Sequence, residues 1–232
     1  MNYNIFDLYT SAVTGTLALV LIFVTMPGND QWRPFRRMNR LLVACCVVMC
    51  VANLVTSLLN VEDTGGIEMR VSMLIVSMYQ AMLFTAACIT FILPRTVSVG
   101  WLSANTALIT VISAGMAYML YADSSHADTG LWAGMAAYVL FIVYYCRLFR
   151  RSYREALRCL ETSYDEDMGG SLKFSVKCFI GALLVGLSAL IYIIFDLGPV
   201  CYQVFTCIYA VYYIYLVICT INYRIKADAI IA

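Results

Sequence analysis

Tyr202, Phe205, Tyr209 and Tyr212 recur at spacings of three and four, which sets them on one side of a helix, with Tyr213 beside them and Tyr215 further round. A phenol gives and takes hydrogen bonds while its ring buries apolar surface. The series therefore suits either helix packing with interfacial anchoring or the wall of a ligand pocket, with Asn53 and Gln80 as polar partners from other segments. Asp123, His126 and Asp128 have metal-ligand chemistry, but His126 is the one histidine of the chain and no fourth ligand lies nearby. They read as a solvated loop. Any Ser-His-Asp constellation would need that same histidine, and the glycine pairs at 65–66 and 169–170 read as turns rather than phosphate cradles. The sequence assigns no catalytic residue, cofactor or metal, and the chain is expected not to be an enzyme.

The segments that position these residues are hydrophobic runs. Of 232 residues, 62% are apolar and 12% charged, about half the usual charged share of a soluble domain. Mean hydropathy is +0.82. Runs at 8–26, 41–59, 71–93, 99–121, 130–149, 178–195 and 200–221 each approach the ~20 residues that span a bilayer as a helix. The expected fold is an all-α integral membrane protein, a single seven-transmembrane-helix bundle over 1–232. Continuous apolar runs, not ten-residue alternation, exclude a barrel. Most of the ten cysteines lie inside the runs, where free thiols behave as small hydrophobes.

Charge gives the orientation. Placing the N-terminus outside and the C-terminus in the cytoplasm puts 14 of the 15 Lys and Arg residues on the inner side and leaves Arg70 outside. With the fifth taken only as far as Tyr145, the apolar cores of the runs hold no Asp, Glu, Lys or Arg, which argues against a proton-coupled pump. The last run lacks the lysine that a retinal chromophore would need, and Lys177 sits at the mouth of span six. Gly130 and Gly134 form a GxxxG, which serves internal helix packing or a homodimer.

One polar stretch interrupts the pattern. Residues 146–168 carry Arg147, Arg150, Arg151, Arg154 and Arg158, followed by Glu161, Asp165, Glu166 and Asp167, with no helix breaker before Gly169-Gly170. Span five is expected to run on into the cytoplasm as one helix, its arginines meeting lipid headgroups and coupling to a cytoplasmic domain.

The run Phe149-Arg150-Arg151-Ser152-Tyr153-Arg154-Glu155-Ala156-Leu157-Arg158, the cluster Ser163-Tyr164-Asp165-Glu166-Asp167 and the segment from Tyr212 to Tyr223 resemble the amino-terminal half of bacterial membrane-bound AraC-type transcriptional regulators. The resemblance covers roughly residues 145–225. It implies a bacterial cytoplasmic (inner) membrane protein: a non-enzymatic sensor or anchor for a cytoplasmic helix-turn-helix domain of the same polypeptide, expected beyond residue 232. These residues themselves would not bind nucleic acid directly; their partner is the bilayer. The residues alone leave a second reading, a stand-alone receptor or carrier for an uncharged small ligand held by Asn53, Gln80, Tyr202, Phe205, Tyr209 and Tyr212.

The arginine asymmetry sets a direct test of orientation. In a cysteine-free background, single cysteines at Thr64 and Ser125 should react with an impermeant maleimide added to intact cells. One at Arg37 should react only after the cells are opened, and the opposite pattern would invert the topology.

Overall fold

The computed structural model describes residues 3–24, 32–59, 66–121, 126–163, 166–195 and 197–231, without side chains at 3–5, 59, 160–163, 166–169, 171, 199 and 226–231. Seven helices follow one another: α1 (Tyr3–Phe23), α2 (Arg33–Leu59), α3 (Ile67–Ile92), α4 (Val99–Tyr121), α5 (Ala127–Ser163), α6 (Glu166–Phe195) and α7 (Gly198–Ile231). All seven are long and apolar enough to cross a membrane, and no strand occurs among the described residues.

The bundle is organised around α3. Its span is 72% buried, against 11% for α4, and every residue from Met82 to Ile92 is buried. A helix that is apolar all round must be enclosed on all sides, and α2, α4, α5 and α6 all pack against it. The outer helices turn Leu19, Ile22, Val111, Leu140, Leu184 and Val211 outward. Such a surface suits lipid.

Helices α2 and α3 begin at Arg33 and Ile67, ahead of the apolar runs at 41 and 71, and three further boundaries differ from the hydropathy reading for a physical reason. Helix α1 begins at Tyr3 rather than near Leu8, because its polar residues fall at helical spacing. Asp7, Thr10, Ser11 and Thr14 all face inward and are buried, while Leu8, Tyr9 and Val13 face out. Asp7 thus lies within an apolar span, Phe6–Phe23, and corrects the expectation of seven charge-free cores. The expected end of span one near Met26 lies outside the described residues.

Helix α5 does run on past the apolar segment, but only to Ser163. Helix α6 starts at Glu166, so Gly169-Gly170 sits inside its opening turns instead of closing α5. A helical glycine costs about 1 kcal/mol relative to alanine, and packing offsets that here. Leu172 and Ser175 are buried, and Ser175 Oγ donates to the Cys88 carbonyl at 3.3 Å. The five arginines of α5 are exposed, whereas Phe149, Ser152 and Ala156 on the opposite face are buried. Phe149 stacks on Phe179 of α6, ring centroids 3.9 Å apart.

Helix α7 extends from Gly198, which takes φ +76°, to Ile231, beyond the expected 221. Helix ends inside the bundle find partners. Arg70 Nε donates to the Ile193 carbonyl at 2.9 Å, and Asn39 Nδ2 to the Leu21 carbonyl at 2.9 Å. Both acceptors lie in last turns, where carbonyls lack intrahelical donors.

Gly130 and Gly134 serve internal packing: a Cβ on either would meet Met119 or Met116 of α4. At Gly134 it would also come within 2.9 Å of Leu74 Cδ2, and Leu74 is fully buried. Gly134→Ala should therefore lower the thermal midpoint in detergent, at a cost of about 1–3 kcal/mol. Gly115→Ala, which faces open space, should leave the midpoint unchanged or raise it.

Candidate functional site

A cavity lies between α2, α3, α5, α6 and α7, toward the end where α2 finishes and α3 and α7 begin. It leaves about 90 Å³ to the centres of water molecules. One water needs ~10–15 Å³ on that measure, so there is space for several waters or a small organic molecule. Asn53, Gln80, Tyr202, Phe205 and Tyr209 all line it, brought from three helices into one wall. Methionines Met49, Met69 and Met73 give it a deformable apolar side.

Tyr212, grouped with these by spacing, is not among the lining residues. Its ring lies against Gly181, and its hydroxyl donates to the Cys178 carbonyl of α6 at 2.7 Å. Tyr213 takes its place. Each residue advances about 100° round a helix, and four steps beyond Tyr209 return to the Tyr202–Tyr209 stripe, whereas three fall short of it.

The polar groups of the wall are paired with one another. Tyr213 Oη donates to Gln80 Oε1 at 2.6 Å, and Gln80 Nε2 donates to the Cys45 carbonyl at 2.9 Å. Tyr209 Oη donates to Asn53 Oδ1 at 3.1 Å, and Asn53 Nδ2 donates to Tyr209 Oη at 2.8 Å. Tyr202 Oη donates to Asp7 Oδ1 at 3.1 Å. All these side chains are buried. In an apolar medium each bond replaces water that is not there.

Sequence reasoning missed Asp7, Tyr138 and the role of Tyr213. The helical spacing of Asp7, Thr10, Ser11 and Thr14 carried the signal for Asp7, but a hydropathy window discards polar positions at a segment's start. Tyr138 on α5 also lines the cavity, donating to the Gly186 carbonyl at 3.3 Å, and nothing in its flanking residues marks it.

The arginines Arg147, Arg150, Arg151, Arg154 and Arg158 are not part of this site. All five are exposed on α5, in the half that runs toward Ser163. His126 and Asp128 are exposed at the start of α5, and Asp123 lies outside the described residues. Among the described residues no group of three or more His, Cys, Asp or Glu is placed to hold a metal. The cavity's phenols, amides and the carboxylate behind them are the chemistry of recognition: directional hydrogen bonds and aromatic faces.

No protein-family model, curated protein or solved structure matches this chain.

Removing one partner of a buried pair leaves the other unsatisfied. Tyr213→Phe should lower the thermal midpoint by an amount equivalent to about 0.6–2 kcal/mol, the span measured for interhelical bonds in membranes. The same change at Tyr215, which is exposed, should have no effect. Equal midpoints for the two variants would show that the Gln80 bond contributes nothing.

Proposed function

We propose that this chain is a non-enzymatic sensor domain of a bacterial cytoplasmic membrane. A small ligand would occupy the cavity and alter the packing of α7, and the opposite end of the bundle would carry the change to a cytoplasmic output. The observation that supports this is the reach of α7. Tyr202, Phe205, Tyr209 and Tyr213 line the cavity at one end. At the other end Tyr223 of the same helix packs with Phe35, Phe91 and Phe174, at centroid distances of 5.6, 5.1 and 5.6 Å. A helix is stiff along its axis, so a tilt or slide at the cavity must disturb that aromatic cluster, which joins α2, α3 and α6. Helix shifts of this kind are usually about 1–2 Å.

With the N-terminus outside, the cavity lies toward the external side and the exposed arginines of α5 face the cytoplasm. The resemblance to membrane-bound AraC-type regulators makes the output a helix-turn-helix domain of the same polypeptide, and the ligand a signal for transcription. In this reading the domain shifts between two packings whose populations the ligand biases.

The test needs no known ligand. Ala189 is buried on α6 and lines the cavity, while Leu187 faces outward. With nitroxides at the exposed positions Arg154 and Ile225, Ala189→Phe should shift the interspin distance by about 1–2 Å, and Leu187→Phe should not. Identical distributions in both variants and the parent would leave a passive anchor. Accumulation of a labelled solute in proteoliposomes would instead make the chain a carrier.

A further inference from the structure

We infer that the cavity takes a small organic cation, an alkylammonium of a few carbons, with Asp7 as counter-charge and the rings of α7 as walls. This rests on reading the cavity as the sensor's ligand site, and it departs from the uncharged ligand that the hydrophobic runs alone imply.

Three features converge on positive charge. Asp7 is 0% exposed within the apolar span of α1, and a single phenol separates it from the cavity: Tyr202, which lines the space and donates to Asp7 Oδ1 at 3.1 Å. An acidic side chain held inside a membrane bundle is costly and marks a functional position by default. A positive group entering the cavity gains from that carboxylate, and the low dielectric around it strengthens the gain.

Apart from the hydroxyls of Ser72 and Ser77, which also line the cavity, the side-chain donors of the wall are committed. The hydroxyl protons of Tyr202, Tyr209 and Tyr213 point to Asp7, Asn53 and Gln80. The amides of Asn53 and Gln80 donate to Tyr209 Oη and the Cys45 carbonyl, and Thr56 Oγ1 donates to the Ala52 carbonyl at 3.0 Å. The phenol oxygens keep lone pairs, so the wall offers acceptors to an N–H donor and few free donors to a carboxylate or ketone.

The third feature is the rings. Phe84, Tyr138, Tyr202, Phe205, Tyr209 and Tyr213 all line the cavity. Aromatic faces attract cations, more so when the pair is removed from water. No Lys, Arg or His belongs to the described lining, and Arg70, on the first turn of α3, is directed to the Ile193 carbonyl. An anion would meet phenol lone pairs and aromatic rings, with the Asp7 carboxylate just behind Tyr202.

The experiment compares three compounds on one branched carbon skeleton: isopentylammonium, isopentanol and isovalerate. Each is titrated calorimetrically into the protein in nanodiscs of zwitterionic lipid, so that no anionic headgroup collects the cation. The ammonium should bind roughly ten-fold or more tightly than the alcohol, the equivalent of one charge-assisted hydrogen bond. Isovalerate should bind weakest, and Ala189→Phe should abolish binding of all three. Asp7→Asn should erase the preference for the ammonium and leave the alcohol's affinity in place. If Asp7→Asn does not fold, Phe205→Leu carries the test, since Phe205 makes no hydrogen bond; it should weaken the ammonium several-fold more than the alcohol. Alcohol or carboxylate binding as tightly as the ammonium, and lost in Ala189→Phe, would overturn the cation while leaving the sensor reading in place. Binding of none of the three would also overturn the cation, and the spin-label shift would then judge the sensor reading separately. An ammonium preference that survives in Asp7→Asn would overturn the role of Asp7.

Discussion

Four phenols of α7 hand their protons to four different helices. Tyr202 bonds Asp7 on α1, Tyr209 bonds Asn53 on α2, Tyr213 bonds Gln80 on α3, and Tyr212 bonds the Cys178 carbonyl on α6. In water the burial of apolar side chains would bring such helices together. In a bilayer the lipid is as apolar as the helices, so packing, hydrogen bonds and lipid entropy must select the arrangement. Sliding α7 by one turn would break all four bonds at once and leave the buried hydroxyls of Tyr202, Tyr209 and Tyr213 and their acceptors on Asp7, Asn53 and Gln80 without these partners. The set therefore keys α7 in both rotation and height, and the cavity is the space enclosed between the keys.

The same constraint explains the distribution of residue types. Helix α1 buries its polar face and turns its apolar face outward, the reverse of a helix on a soluble domain. Threonines that cannot reach across the bundle bond their own helix, as Thr14 and Thr220 do to carbonyls four residues back. Where no polar partner is needed, small residues allow close approach, as Gly130 and Gly134 do beneath the methionines of α4. Fold and site follow from a single requirement, that every buried polar group find its partner inside the protein.

That requirement also separates what could be read from the sequence from what could not. The number and order of the helices follow from hydropathy, which averages over a whole segment and so survives local error. The wall of the cavity was partly readable because a repeat of three and four survives in any helix, which is why Asn53, Gln80, Tyr202, Phe205 and Tyr209 meet. The choice between Tyr212 and Tyr213 was not readable. They are adjacent and chemically identical, and only the position of α6, with a glycine at 181 to receive one ring, decides which turns aside. Asp7 was hidden because averaging treats a charge at a segment's edge as the end of the segment. The boundary between α5 and α6 was misplaced because a glycine pair breaks a helix only when nothing packs beside it, and the burial of Leu172 and Ser175 is a tertiary fact.

The strength of the keys bears on how such a bundle could move. Interhelical hydrogen bonds in membranes average about 0.6 kcal/mol each, so the four together contribute roughly 2–3 kcal/mol to the position of α7. That is enough to hold one arrangement at well over nine parts in ten, since 1.4 kcal/mol is a factor of ten. It is also small enough for a ligand to outweigh, because exchanging two of these bonds for bonds of its own would cancel about half of the preference. The aromatic cluster around Tyr223 behaves differently. Stacked and edge-on rings at 5.1–5.6 Å lose dispersion energy steeply with small displacements, so that end resists gradual deformation and changes only by repacking. Helix α7 is thus held at one end by exchangeable bonds and at the other by a packed cluster, and under the proposed sensor function these two ends would serve as input and output on different physical footings.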